Sequence, residues 1–243
     1  KVALNILLEI GVIGGRCGWR DTQNIEQLCE AIQEYEYLNI SGLSFYEGVI
    51  HGENAIQEII GFIHNIKSLA AYLQNKGIAP SKQFIVTGAG SAWYDVVAKE
   101  LTNHDANSNY TVIIRPGCYL IHDTGIYQDA QNIIMQRSEL AAQLACEDTG
   151  ELTSSLEIWA YVHSIPESGL AIIGLGKRDV AFDAGLPTPS LYFRPSNDLV
   201  ENRQPKKADP NWKVVKVMDQ HCMMTMPNDA QLLPGDLISF TTS

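Results

Sequence analysis

Short apolar runs alternate with stretches whose apolar residues recur every three or four positions, and this alternation fills the first half of the chain. Leu4–Ile10, Leu38–Phe45, Gln83–Thr87 and Tyr110–Ile114 are runs of strand length. After the first, Asp21 or Thr22 is placed to cap a helix with Ile25, Leu28, Cys29 and Ile32 on one face. After the second, Ile56, Ile59, Ile60, Ile63, Ile66, Ala70 and Leu73 form one stripe of a longer helix that ends near Gly77. Gly88-Ala89-Gly90-Ser91 follows the third run and leads into a helical stretch to about Leu101. Strands separated by helices predict adjacent parallel strands of one wall, joined by right-handed crossovers.

The pattern changes near Gly150. Leu156–Ser164, Leu170–Leu175, Ser190–Phe193, Trp212–Met218 and Leu237–Thr242 read as strands, with Gly and Pro between them. One helix, roughly Asp129–Ala145, precedes the change, and residues 196–211, with two prolines and the pair Lys206-Lys207, read as an exposed loop. The predicted class is α/β plus β: residues 1–148 form part of a barrel and 149–243 an all-β domain. Four strands are about half of a (β/α)8 TIM-type barrel.

Composition narrows the function. The chain has 243 residues, 45% hydrophobic and 19% charged, which is ordinary globular composition. Its formal charge of −11 repels polyphosphate and no basic tract offsets it, so nucleic acid is set aside. Cys17, Cys29, Cys118, Cys146 and Cys222 are scattered without a Cys-x-x-Cys pair, which fits a reducing, cytoplasmic compartment better than a disulfide framework. No apolar run reaches bilayer length, and the first residues read as a buried strand rather than a signal peptide.

Three glycine-bearing loops follow strand-like runs: Gly11-Val12-Ile13-Gly14-Gly15-Arg16-Cys17-Gly18, Gly88-Ala89-Gly90-Ser91 and Arg115-Pro116-Gly117-Cys118-Tyr119. Glycines there are expected to allow positive φ and let N–H groups approach an anion, and a helix opening after Ser91 would add its positive end. Each loop taken alone reads more readily as a tight turn. Gly14–Gly18 is a poor dinucleotide fingerprint, because no acidic residue follows a second strand at ribose distance.

The ordered set of motifs resembles the alanine-racemase-type (fold type III) pyridoxal-phosphate enzymes. Those motifs are Gly14–Gly18, Gly42-Leu43-Ser44-Phe45-Tyr46-Glu47-Gly48, Gly88–Ser91, and Arg115–Tyr119 with His122-Asp123. Within that group the resemblance is to the D-serine dehydratase/D-threonine aldolase branch, the amino acid deaminases. Gly174-Leu175-Gly176-Lys177-Arg178-Asp179, Phe182-Asp183-Ala184-Gly185 and Met218-Asp219-Gln220-His221 extend it through the β region. The resemblance implies that residues 1–148 are the second half of a pyridoxal-phosphate-binding barrel. It also implies a chain truncated at both ends, with the Schiff-base lysine upstream and a His-Pro-Cys-type zinc motif beyond Ser243.

Residue by residue, the resemblance implies that Arg16 donates to the cofactor's phenolate oxygen and Tyr46 sits beside the pyridine ring. Gly88, Gly90, Ser91, Gly117 and Cys118 would hold the phosphate. Arg115 falls where alanine racemases place the arginine facing the ring nitrogen. His221 is the acid/base or metal-shell candidate among six histidines, although a lone histidine is as readily structural. Cys222 would point to the opposite strand face, so His221-Cys222 is not a chelating pair. Lys177 corresponds to a position near the partner subunit's site in the family, against the reading of an exposed turn lysine.

The implied function is a homodimeric lyase that binds pyridoxal phosphate and a divalent metal, zinc, and acts on a small D-amino acid. D-Serine would give pyruvate and ammonia, the metal assisting departure of hydroxide. D-Threonine aldolase or racemase chemistry on the same fold, or a non-catalytic pyridoxal-phosphate-binding protein, are the alternatives. A β domain of this size favours the enzyme. By itself the chain is expected to be inactive, for want of the catalytic lysine.

Overall fold

The computed structural model describes residues 2–78, 83–103, 109–144, 152–195 and 204–242, and they fall into two compact units. The first comprises Lys1–Gly117 with Ile134–Gln143, the second Cys118–Ile133 with Leu144–Ser243. Residues 118–133 thus group with the β-rich part, although the sequence reading sets them within 1–148 beside the barrel-like strands.

In the first unit, strands β1 (Leu4–Ile10), β2 (Leu38–Phe45), β3 (Phe84–Gly88) and β4 (Tyr110–Ile114) pair in that order, all parallel, as the alternation predicts. Residues of β2 are buried on both faces, from Ile40 through Leu43 and again at Phe45, which is what a parallel strand covered by helices requires. The β1–β2 register shifts between Ile6 and Leu7, skipping Ser41. Next to that bulge the Ile85 carbonyl occupies the space where a Cβ at Gly42 would stand.

Helices α1 (Ile25–Gln33), α2 (Ala55–Asn75) and α3 (Tyr94–Thr102) connect these strands. Asp21 resolves the first cap: its side chain accepts from Asn24 N at the start of a 3-10 turn leading into α1. The buried stripe of α2 is Ala55, Ile59, Ile63, Ile66, Leu69, Ala70 and Leu73. It is narrower than predicted, since Ile56 is exposed. This stripe joins Leu8, Ile10, Leu43, Phe45, Phe84 and Val86 in one core.

The second unit is a seven-stranded antiparallel sheet. Its strands are β5 (Glu157–Glu167), β6 (Leu170–Ile173), β7 (Thr188–Phe193), β8 (Lys206–Lys207), β9 (Lys213–Val217), β10 (Cys222–Thr225) and β11 (Leu237–Thr241), in the order β8-β7-β11-β5-β6-β10-β9. Alternate residues Ala160, Val162, Ala171, Ile173, Cys222, Met224, Ile238 and Phe240 line its core. Two strands were not legible. Lys206 and Lys207, read as loop, pair with Tyr192 and Leu191 while staying exposed, as suits a charged edge strand. β10 was hidden behind the Asp-Gln-His motif. The helix expected over Asp129–Ala145 is two, α4 (Ile126–Arg137) and α5 (Glu139–Leu144), with Ala145 outside the described residues, as are 196–203 of the predicted loop.

Candidate functional site

Loops leaving the carboxyl ends of β1, β2, β3 and β4 carry most of the predicted site residues, the usual position for a ligand on a parallel sheet. After β1 the chain makes a tight excursion and returns: Trp19 N donates to Glu9 O at 2.7 Å and Gly11 N to Trp19 O at 2.9 Å. Gly11 and Gly18 meet backbone to backbone, and Gly18 holds φ +92°, a conformation costly for any side-chain-bearing residue. Arg20 fastens the excursion from within. Its guanidinium donates to the carbonyls of Val12 (3.3 Å), Gly15 (2.5 Å) and Gly18 (2.7 Å). Arg16 and Cys17 are thereby presented in a cleft shared with Glu9, Gly11, Tyr46 and Val49. The structure therefore brings Arg16 and Tyr46 to one cleft.

Tyr46 is 41% exposed, and its ring lies across two bare backbones. A Cβ at Gly48 would stand 2.8 Å, and at Gly90 2.9 Å, from Tyr46 Cε2. The ring thus links the loop after β2 to the loop after β3, and both glycines serve that close approach.

Glu47, beside it, is fully buried. Its carboxylate accepts the N–H of Gly90 at 2.5 Å and of Ala89 at 3.3 Å. These successive N–H groups converge because Ala89 holds φ +82°, forming a backbone anion nest. Burial pushes the Glu47 carboxyl above its ordinary 4.5, opposed by the N–H donors of Gly90, Glu47 and Ala89 and by the charge of Arg115. Arg115 in turn donates from Nε to Thr87 Oγ1 and from Nη2 to the Phe45 carbonyl, both at 2.9 Å. Its backbone N–H goes to Gly88 O at 2.9 Å, so one residue ties together the ends of β2, β3 and β4.

Two expectations are corrected here. Gly88, Gly90 and Gly117 do not have positive φ; the left-handed residue of the β3 loop is Ala89. Gly88 is glycine because the Phe45 ring fills its Cβ space, while Gly117 has open space there. The Gly90 N–H expected on a phosphate is committed to Glu47. The Arg115 guanidinium reaches Thr87 and Phe45 from the end of β4.

Ser91 is half-buried, three residues before α3 begins. Asp95 in the first turn of α3 would repel an anion at that helix end. Arg137 neutralises it with two bonds of 2.8 and 2.6 Å, donates to Ala92 O at 2.8 Å, and stacks over the Trp93 ring at 4.4 Å.

The remaining predicted residues belong to the second unit. Cys118 opens a 3-10 turn (Cys118–Leu120), and its carbonyl accepts from the N–H groups of Ile121 and His122. His122 is buried with φ +52°, its Nε2 3.2 Å from Gln128 Oε1, and Asp123 caps α4 through the N–H groups of Gly125 and Tyr127. Lys177 N donates to Met218 O and Arg178 N to Asp219 O, so the Gly-Leu-Gly-Lys-Arg-Asp and Met-Asp-Gln-His motifs are two sides of one structure. The Lys177 ammonium lies over the Phe182 ring at 5.3 Å. His221 packs edge-to-face on His163, ring centroids 5.4 Å apart, a partner the sequence did not indicate. Cys222 faces the core, and burial pushes its thiol up to about 12. Among the described residues, no group of three or more His, Cys, Asp or Glu could hold a metal ion, and no helix is long and apolar enough to cross a membrane.

Comparison with known proteins agrees with the motif reading. Residues 155–243 match the family described as "Putative serine dehydratase domain". The 3-hydroxy-D-aspartate aldolase of Paracoccus denitrificans (strain Pd 1222) is 23% identical over 190 residues, covering 76% of this chain and 43% of that protein. The crystal structure of D-threonine aldolase from Filomicrobium marinum superposes with a TM-score of 0.65 at 19% identity, over 99% of this chain and 55% of that one. The alanine racemase of Clostridium difficile 630 in complex with cycloserine gives 0.51 at 14% identity, over 98% and 54%. The fold is alanine-racemase-like: parallel strands with helices, followed by an antiparallel β unit. The chain spans about half the length of the relatives it matches.

Proposed function

We propose that the polypeptide carrying this chain is a pyridoxal-phosphate-dependent lyase acting on D-amino acids with a β-hydroxyl group. The observation that carries the reading is the cleft itself: Arg16 and Tyr46 share it, and the Tyr46 ring is laid over Gly48 and Gly90. A partly exposed tyrosine ring and an exposed arginine lining one cleft would suit a planar, anionic heteroaromatic ligand, through ring packing and a charge-assisted hydrogen bond.

In this reading Arg16 would donate to the phenolate oxygen and Tyr46 would sit beside the pyridine ring. Ser91 and the backbone at Gly117 would serve the phosphate, and Gly88 and Gly90 act by admitting the Phe45 and Tyr46 rings. Arg115 keeps the strand ends in place and contributes positive charge next to Glu47. The cofactor, when bound, supplies the electron withdrawal that weakens the bonds at the substrate's Cα. His221 and Lys177 are candidates for moving or holding a proton, His221 with its ring braced by His163. The described residues do not assemble a zinc site, and no step is assigned to a metal here.

Loss of the β-hydroxyl from D-serine gives pyruvate and ammonia, the dehydratase reading favoured by the family match at 155–243. Cα–Cβ cleavage, giving glycine and an aldehyde from D-threonine, is the second reading, favoured by the names of the two aldolase relatives. The full-length protein, supplied with pyridoxal phosphate and offered D-serine, D-threonine and 3-hydroxy-D-aspartate beside their L forms, separates them. Oxo-acid release from D-serine supports dehydration, glycine release supports aldol cleavage, and no turnover of any D form refutes the proposal.

A further inference from the structure

Glu47 is a buried carboxylate for which the proposed chemistry has no use. It is fully inaccessible, and it neither lines the Arg16–Tyr46 cleft nor reaches water. Burying a carboxylate costs several kcal/mol unless donors and charge surround it. Here they do: Gly90 N–H at 2.5 Å, Ala89 N–H at 3.3 Å, and the charge of Arg115. Ala89 also sits at φ +82°, a conformation that strains a side-chain-bearing residue. An isolated Gly-Ala-Gly-Ser turn has no reason to choose that shape. A carboxylate that needs two convergent N–H donors does supply one.

We propose that Glu47 is a positioning residue: an internal anion that fills the Ala89–Gly90 nest, locks the loop after β3 against Tyr46, and so sets where Ser91 stands at the entry to α3. Three contacts converge on that loop. Glu47 grips it through two N–H groups, the Tyr46 ring lies on Gly90, and Arg115 ties Gly88 O and Thr87 Oγ1 to the end of β4. Because the protein's own carboxylate occupies the nest, an incoming phosphate is left to donors further along the chain, from Ser91 onward. This positioning role rests on the proposed cofactor site, whereas occupancy of the nest by Glu47 does not.

The test compares wild type with Glu47→Gln, which keeps the shape but loses the charge and one acceptor, and with Glu47→Asp, which keeps the charge on a shorter arm. Amide hydrogen exchange is read at Ala89 and Gly90, with the core strand β11 as an internal reference for global stability. Binding of pyridoxal phosphate and of pyridoxal, which lacks the phosphate, is measured on the full-length protein. Glu47→Gln is expected to speed exchange at both amides at least about tenfold with β11 unchanged, the loss of about one charge-assisted hydrogen bond. It is expected to weaken pyridoxal phosphate at least about fivefold more than pyridoxal, with Glu47→Asp falling between wild type and Glu47→Gln on both readouts. Unchanged exchange at Ala89 and Gly90 overturns the nest assignment. Faster exchange with equal losses for the two ligands overturns the positioning role. Wild type that binds neither ligand refutes the cofactor reading and the positioning role with it, while exchange still decides who fills the nest.

Discussion

Gly88→Ala puts a methyl group into the Phe45 ring. The new Cβ would stand 2.7 Å from Phe45 Cε1 and nearer still to Cζ and Cε2, inside the 3.0 Å that real Cβ atoms keep. The ring cannot swing away at no cost, because Phe45 is 1% exposed and stands edge-on to Phe62 at 5.6 Å. Overpacking of this kind costs about 1–3 kcal/mol. Disturbing the edge-to-face pair adds up to about 1 kcal/mol. Gly88 does not hold a positive φ, so alanine recovers roughly 0.4–1 kcal/mol by restricting the unfolded chain. The net expectation is a loss of about 2 kcal/mol in urea unfolding followed by circular dichroism. A double-mutant cycle isolates the cause. In a Phe45→Leu background the same Gly88→Ala change should cost under about 1 kcal/mol, a coupling of at least about 1 kcal/mol. An unchanged midpoint, or equal losses in both backgrounds, refutes the packing account of Gly88.

Three further outcomes follow from the same geometry. The folded state binds the Glu47 proton more tightly than the unfolded chain does, so its contribution is fully present below the ordinary 4.5 and is lost as pH rises through the raised folded value. The stability of wild type relative to Glu47→Gln should therefore fall with rising pH over that window and then level off; a difference that grows with pH contradicts it. Arg137→Ala leaves the Asp95 carboxylate, only 8% exposed, without its partner and should cost about 3–5 kcal/mol in the same unfolding assay, unlike an exposed pair; a loss under about 1 kcal/mol would show the pair to be peripheral. Residues 1–243 alone should not turn over D-serine even with pyridoxal phosphate, because among the described residues no lysine lines the Arg16–Tyr46 cleft; Lys67 is bonded to the Glu100 and Asn103 carbonyls and Lys76 is paired with Glu26. Pyruvate release by the purified chain would show the catalytic lysine to be among those it contains.

Periodicity carried the fold wherever burial imposed it. β1, β2 and β4 run between the residues read from the apolar pattern, because strands under helices must be apolar and helices over strands must be striped. It failed where charge concealed pairing, as at Lys206-Lys207, and where a short strand adjoined a motif, as at β10. The site was legible as a set of residue types more than as a set of contacts. Arg16 and Tyr46 line one cleft, and Gly14 and Gly18 hold the positive φ read for them, but Gly88 and Gly90 were read for φ when they serve close approach to Phe45 and Tyr46. Glu47 and Arg20 stayed invisible. A glutamate after a strand reads as a solvated turn residue, and only coordinates reveal that its acceptors are two amides brought round by a left-handed alanine. Similarly, nothing local tells that Arg20 reaches back to three carbonyls of the glycine loop.

The claim that everything here turns on is that the cleft between the Arg16 loop and the Tyr46 ring holds pyridoxal phosphate. The most direct measurement is a crystal structure of the full-length protein grown with the cofactor. The account predicts the pyridine ring against Tyr46, its phenolate oxygen within hydrogen-bonding reach of Arg16, and the Ala89 and Gly90 N–H groups still on Glu47 with the phosphate on donors from Ser91 onward. Cofactor bound away from Arg16 and Tyr46, or a phosphate that has displaced Glu47 from the Ala89–Gly90 nest, would contradict it.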